Sequence, residues 1–400
     1  MREPANRRNR MSILKKRIMN VVLLFTSMLM AGISFSHVNV ADAKSSKVYV
    51  QAGVETAEQY SKLEDPIIIQ QGRILLPIRE ISNYLSLNVS WNQKTKSATL
   101  YGVNKEIKLT LGSKTAYVDK KKVLLDVPLQ MEKGKIYVPL QFVASSVKQK
   151  VTWDRTLKTI LIPRTYAKGT ADQMTYWIKL TTGELFQAKT NQIGTKIGQV
   201  SKRFKTMREF EVEKIAAGTY YLRMEESFGM AGTSRNTGQV LVKNGKVLDE
   251  DSFSFQGYYE DTTLHKSHGN VLLTNGKQAR FLDKNGKVVA LYNLTDIMQK
   301  DEIYMVEHYN QRMLILREYS SQHLIVYNVQ SDNAAYVHEL ITLPESEREY
   351  LEQAGFDRNN EMVRDHIIFF DSIIDGVMTF HYKNKSNNMV NTYTLDLSQI

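Results

Sequence analysis

A block of 29 residues occurs twice in this chain, and that duplication limits the fold of the amino-terminal part more than any other feature. GRILLPIREISNYLSLNVSWNQKTKSATL, Gly72 to Leu100, aligns without a gap with GKIYVPLQFVASSVKQKVTWDRTLKTILI, Gly134 to Ile162, at an offset of 62 residues. The alignment couples Pro77 with Pro139, Ile81 with Val143, Val89 with Val151 and Trp91 with Trp153. In each copy a short apolar strand, Ile74 to Leu76 or Ile136 to Val138, meets a proline, which lacks an N–H and suits a first helical turn. Ile78, Ile81 and Leu85, matched by Leu140, Val143 and Val147, recur at i, i+3 and i+7, one apolar face of a two-turn helix. Valine and tryptophan then alternate, a polar turn follows, and SATL or TILI forms a last strand. Each copy is predicted to be a strand, helix, strand, strand unit. Pro77, Trp91, Pro139 and Trp153 are its anchors, with the tryptophans read as core residues in preference to exposed sugar-stacking platforms.

This duplicated pattern, with the hairpin KLTLGSKTAYVDKKKVLLDVPLQ between the copies, resembles the copper amine oxidase-like N-terminal domain, also called the stalk domain, over about Lys47 to Ile162. The resemblance implies a small α+β domain, common in exported proteins of Gram-positive bacteria, that presents another domain at the cell surface. Two departures stand at the helix ends. Ser86 and Lys148 occupy positions where the family usually has glycine, and where a positive φ costs a residue with a Cβ on the order of 1 kcal/mol. In the second copy Gln141 replaces the arginine retained as Arg79. The copper chemistry in the family's name is not expected here. Copper seeks imidazole or sulfur ligands, yet the chain has no cysteine and no histidine between His37 and His265. The only Asn-Tyr, Asn83-Tyr84, is followed by Leu85, so the quinone-precursor motif is missing as well. No cofactor, no metal and no amine oxidation are expected.

The first residues carry Arg2, Arg7, Arg8, Arg10, Lys15, Lys16 and Arg17, then an apolar run from Ile18 to Ile33, then Ala41-Asp42-Ala43. That order of basic, apolar and small residues reads as a secretory signal over 1–43, with cleavage before Lys44, Met11 as a plausible start and no membrane span afterwards; a retained anchor is the alternative. Absence of cysteine excludes disulfides and a lipid-attachment thiol. Residues 44–168 hold 21 basic and 10 acidic side chains, a net of +11, whereas residues 169–400 hold 25 and 30, a net of −5. A basic front of this kind suits cell wall or an anionic wall polymer, without any nucleic-acid signature. Lys120, Lys121 and Lys122 in the central hairpin are the candidate polyanion contacts; the bland alternative is a lysine-rich turn that keeps a sheet edge soluble.

From Ala171 onward, short segments alternate apolar and polar residues around Thr-Gly, Asn-Gly and Asp-Gly turns, which supply the positive φ of tight hairpins. Residues 169–400 are therefore expected to be all β, a propeller-like domain of about five blades, with a sandwich or irregular β-domain as the rival. The exception is LPESEREYLEQAGF, read as a helix with Ser346 and Glu349 in capping-box spacing and Gly355 near its end. No catalytic residues are singled out. His265 and His268 lack the further ligands a zinc site needs, and the glycine-rich stretch Phe228 to Gly238 lacks the Gly-Lys-(Ser/Thr) ending of a phosphate loop. The sequence thus points to a non-enzymatic, secreted envelope protein whose stalk domain docks to the wall and presents a ligand-recognising β-domain. The alternative is an extracellular hydrolase of wall glycan or peptide with carboxylate catalysis in the β-domain.

Overall fold

The computed structural model describes residues 49–52, 60–154, 156–157, 159–205, 207–228, 234–256, 261–353 and 366–399; the expected signal, 1–43, lies outside them. Residues 47–400 form one compact unit. It is mostly β, built of several largely antiparallel sheets. Among the described residues no helix is long and apolar enough to cross a membrane.

Among the described residues three sheets precede residue 163. One holds β1 (Tyr49–Ala52), β2 (Tyr60–Lys62), β12 (Thr152–Asp154) and β13 (Thr159–Ile162), with β1 parallel to β13. The second, in order β10-β11-β4-β3, holds β3 (Ile68–Gln70), β4 (Arg73–Pro77), β10 (Gln130–Glu132) and β11 (Lys135–Pro139). The third is the meander β5 (Asn88–Asn92), β6 (Ser97–Gly102), β7 (Lys105–Thr110), β8 (Thr115–Val118) and β9 (Lys121–Leu124). Helix α1 (Ile78–Tyr84) follows β4 and α2 (Leu140–Ser146) follows β11, each starting directly after its proline. Ile78, Ile81 and Leu85 are buried in one core with Leu140 and Val143, while Val147 packs at its edge.

Both helices end in the six-to-one and five-to-two hydrogen bonds of a Schellman motif. Leu87 N donates to Ser82 O at 2.7 Å and Ser86 N to Asn83 O at 3.1 Å; Gln149 N donates to Ala144 O at 2.8 Å and Lys148 N to Ser145 O at 3.0 Å. The motif places Ser86 at φ 55° and Lys148 at φ 58°, the left-handed conformation that glycine adopts freely. Ser86 is compensated by hydrogen bonds described below. The exposed Lys148 is not, so Lys148→Gly should raise stability by about 0.5–1 kcal/mol in urea unfolding; no gain would place the cap's strain elsewhere.

Among the described residues five meanders follow, each in sequential strand order. The first is β14 (Tyr166–Ala171), β15 (Met174–Lys179), β16 (Glu184–Lys189) and β17 (Thr195–Gln199). The second is β18 (Glu209–Ala216), β19 (Thr219–Phe228), β20 (Ser234–Lys243) and β21 (Lys246–Gln256). The third is β22 (Lys266–Ser267), β23 (Asn270–Thr274), β24 (Gln278–Leu282) and β25 (Val288–Asn293), followed by α3 (Leu294–Met298). The fourth is β26 (Tyr304–Tyr309), β27 (Met313–Glu318), β28 (Leu324–Asn328) and β29 (Asn333–Tyr336). Then come α4 (Val337–Leu340), α5 (Glu345–Gln353) and the three-stranded fifth meander β30 (Ile368–Ile374), β31 (Val377–Lys383) and β32 (Val390–Asp396). The predicted turns are where expected: Asn244-Gly245 and Asp375-Gly376 both have positive φ at their two central residues, the type I′ hairpin geometry.

Inner strands divide their side chains between two neighbours. On β19, Leu222 and Met224 pack toward the first meander while Tyr221 packs toward the third. On β23, Val271 and Leu273 face the second and Leu272 the fourth; on β27, Leu314 and Leu316 face the third and Ile315 the fifth. Strands covered on both faces need continuous apolar runs, which corrects the expected apolar–polar alternation: LIV of β28 and MLIL of β27 are buried throughout. The two ends of the succession differ. In the fifth meander Phe380 and Tyr382 are buried, but the opposite face, with Thr392, Thr394 and Asp396, is exposed.

The first meander is covered by residues 86–104. Trp177 of β15, fully buried, packs on Val103 and donates its Nε1–H to Ser86 O at 2.6 Å. Ser86 Oγ donates to Tyr166 O at 2.7 Å, Lys168 Nζ to Leu87 O at 2.6 Å and Asn88 Nδ2 to Thr175 Oγ1 at 2.9 Å. Asn104 N and Gly194 N close a reciprocal backbone pair with Gly194 O and Gly102 O, both at 3.0 Å.

Candidate functional site

The pairing of β4 with β11 sets the geometry of two grooves. Leu76 faces Val138, flanked by Leu75 with Pro139 and Pro77 with Tyr137. Leu76 and Val138 are themselves 62 residues apart, so exchanging the copies maps this ladder onto itself, the local form of a twofold contact. Each copy's helix start and tryptophan consequently lie beside the hairpin of the other copy. The larger groove, about 750 Å³, joins Pro77, Ile78, Val89 and Trp91 with Lys133, Gly134 and Ile136. The smaller, about 480 Å³, joins Pro139, Leu140, Val151 and Trp153 with Gly72, Arg73 and Ile74. Each has a bordering ion pair at 2.6 Å, Lys135 with Asp65 and Arg73 with Asp126. These pairs are exposed enough that they orient side chains more than they stabilise.

Charge separates the two grooves. Arg79 and Glu80 of α1 line the larger; their counterparts on α2 are Gln141 and Phe142. Glu80 is half-buried. Its Oε1 accepts Asp65 N–H at 3.2 Å, whereas its buried Oε2 has no hydrogen-bond partner among the described residues. Burial pushes the Glu80 carboxyl above the usual carboxylate range; the Asp65 N–H opposes this, and the neighbouring Asp65 and Glu64 carboxylates reinforce it. Arg79 is exposed and makes no ion pair among the described residues. Trp91 and Trp153 are both half-buried: each packs on the core with part of its ring and lines its groove with another part. Trp91 Nε1 donates to Gln93 Oε1 at 2.7 Å.

Lys120, Lys121 and Lys122 lie away from both grooves, on the β8–β9 hairpin. Asp119 and Lys120 have φ 50° and 66°, a type I′ turn, and Asp119 is held by Lys105 Nζ and by Glu106 N at 3.0 Å. All three lysines are exposed. Lys122 pairs with Tyr117, Tyr117 with Lys108 and Lys108 with Thr99, one cross-strand row. The residues that alternate with this row, Ala98, Ile107, Leu109 and Ala116, are buried, so the row occupies the solvent face.

Other sequence candidates separate. His265 is half-buried beside Tyr221, and burial pushes its imidazole pKa down; His268, in a turn at φ 49°, shares a hydrogen bond with Ser267 Oγ. Among the described residues no three His, Cys, Asp or Glu side chains are grouped to hold a metal ion. Phe228 and Ser234–Gly238 belong to the paired strands β19 and β20, Phe228 opposite Ser234; 229–233 lie outside the described residues. Glu80, Asp65 and Lys133 were not singled out from sequence. The signal available was the difference between the copies at Arg79-Glu80 and Gln141-Phe142.

The comparisons with known proteins bear on the segment that builds both grooves. Residues 55–162 match the copper amine oxidase N-terminal domain family. The match to this domain covers a segment of the chain only. No curated protein matches. Among solved structures, Citrobacter koseri AztD is similar at 9% identity and TM-score 0.24 over 62% of this chain and 84% of the other. The extracellular domain of the putative one component system BT4673 from B. thetaiotaomicron is similar at 9% and 0.25, over 84% and 47%. Pyrococcus horikoshii acylaminoacyl peptidase is similar at 10% and 0.22, over 79% and 46%. Similarity at that level assigns neither fold nor function.

Proposed function

We propose that this is an exported, non-enzymatic envelope protein in which residues 44–168, a stalk domain, dock to an anionic wall polymer and residues 169–400 form an incomplete, propeller-like body that presents a recognition surface. Five successive meanders with shared cores support the propeller-like reading. The observation that carries the docking role is the lysine row: Lys108 and Lys122 share one solvent face with Tyr117, and Lys120 projects from its turn. Lys108, Lys120 and Lys122 make no ion pair among the described residues, so their charge is free for a polyanion. Because exposed charges are screened beyond about 8 Å at physiological salt, contact must be close.

The mature chain, residues 44–400, should be retained on purified walls at low salt and released steeply as salt rises. Changing Lys108, Lys120 and Lys122 together to glutamine should lower retention several-fold and flatten the salt dependence. Retention indifferent to salt, or unchanged in the triple variant, would leave the lysines as a solubility device.

A further inference from the structure

The larger groove sets acids among bases: Glu64, Asp65 and Glu80 line it together with Arg79, Lys133 and Lys135. Residues 44–168 carry a net charge of +11, yet these three acids share one cavity. Asp65 is satisfied by Lys135. Glu80 accepts one hydrogen bond, from the Asp65 N–H, and has no cationic partner among the described residues. Beside it Trp91, Ile78 and Val89 offer an apolar surface for a methylene stem, and an indole face attracts a cation. The adjacent residue, Arg79, presents an unpaired guanidinium, a fork that fits a carboxylate. At about 750 Å³ the groove has the size usual for small-ligand sites.

We propose that this groove binds a short peptide bearing an aliphatic amine and a carboxylate, with the amine against Glu80 and Trp91 and the carboxylate met by Arg79. The smaller groove is the internal control. It keeps the proline, tryptophan and apolar floor, but Gln141 and Phe142 remove both charges and its acid, Asp126, is already paired with Arg73. A neutral glycan would use the indole and leave Glu80 and Arg79 without a counter-charge. The site is separate from the lysine row, so it stands or falls independently of wall docking.

The test uses the mature full-length chain and acetyl-lysyl-alanine, followed by the indole N–H resonances of its three tryptophans, with Trp91 assigned through Trp91→Phe. Binding in the millimolar range or tighter should shift Trp91 and leave Trp153 unmoved. Acetyl-norleucyl-alanine, which lacks the amine, should bind at least tenfold more weakly. Glu80→Gln should produce a similar loss and Arg79→Gln, which copies the second groove, a smaller one, while Lys108→Gln/Lys120→Gln/Lys122→Gln should change nothing. Since Glu80 also holds the Asp65 N–H, Arg79→Gln, at an exposed position, serves as the variant that leaves the packing intact. Equal binding of the norleucine peptide, preference for chitotriose, or no shift of Trp91 in the millimolar range would each overturn the proposal.

Discussion

Trp177→Ala should destabilise the chain by about 3–5 kcal/mol, the cost of emptying a fully buried aromatic site, and should split a single unfolding transition into two. Trp177 lies where the first meander meets residues 86–104. Its ring fills the space against Val103, and its N–H is the partner of the Ser86 carbonyl. That carbonyl belongs to the left-handed residue that ends α1, so losing the indole removes both the filling and one tie on a strained position. Trp177→Phe separates the contributions, since most of the ring volume stays while Ser86 O loses its donor, for about 1–3 kcal/mol. Calorimetry of both variants decides the matter. A single transition at unchanged temperature in Trp177→Ala would mean that the Lys168, Asn88 and Gly194 hydrogen bonds hold the junction without it. The same junction explains why glycine is dispensable at 86: serine gives up conformational ease and gains the Oγ bond to Tyr166 O, which glycine lacks.

What could be read from sequence was whatever depends on neighbours along the chain. The i, i+3, i+7 faces of α1 and α2, the proline starts, the positive φ at Ser86 and Lys148 and the Asn-Gly and Asp-Gly turns are all local, and they appear where expected. The helix at 345–353 appears too, but its start differs from the expected capping box. Pro344 O accepts the N–H groups of Glu347 and Arg348, both at 3.0 Å, so Ser346 lies within the first turn; Gly355 is outside the described residues. Glu347, unremarked in the sequence, instead accepts from Tyr382 OH at 2.8 Å and from the Lys385 and Ser386 N–H groups at 2.8 and 2.9 Å. The grooves were illegible for the same reason. Neither copy contains one; each arises only when Leu76 is set against Val138, which carries Trp91 to the hairpin around Gly134. The meander strands were half-read because period two is informative only when one face is wet.

Arg317→Met should cost about 3–5 kcal/mol, the penalty of breaking a buried ion pair from one side. Arg317, on β27, is 1% exposed and ties two meanders together. Its Nε and Nη2 meet both carboxylate oxygens of Glu307 on β26, Nη1 donates to Gln322 O at 2.8 Å, and Nη2 also reaches Ile368 O on β30 at 3.0 Å. Methionine matches the stem but leaves Glu307 with Thr262 Oγ1 as its remaining donor among these contacts, and strands two carbonyls. Lysine keeps the charge without the planar fork, so Arg317→Lys should fall between the two. Most of the methionine penalty belongs to the abandoned carboxylate, which gives the argument its check. Glu307→Gln in the Arg317→Met background should recover at least half of the lost stability, although Glu307→Gln alone is destabilising. Urea unfolding of the four proteins closes the cycle. Additive losses would show that the pair contributes nothing as a pair, and that Arg317 acts through the Gln322 carbonyl within the fourth meander and the Ile368 carbonyl of the fifth.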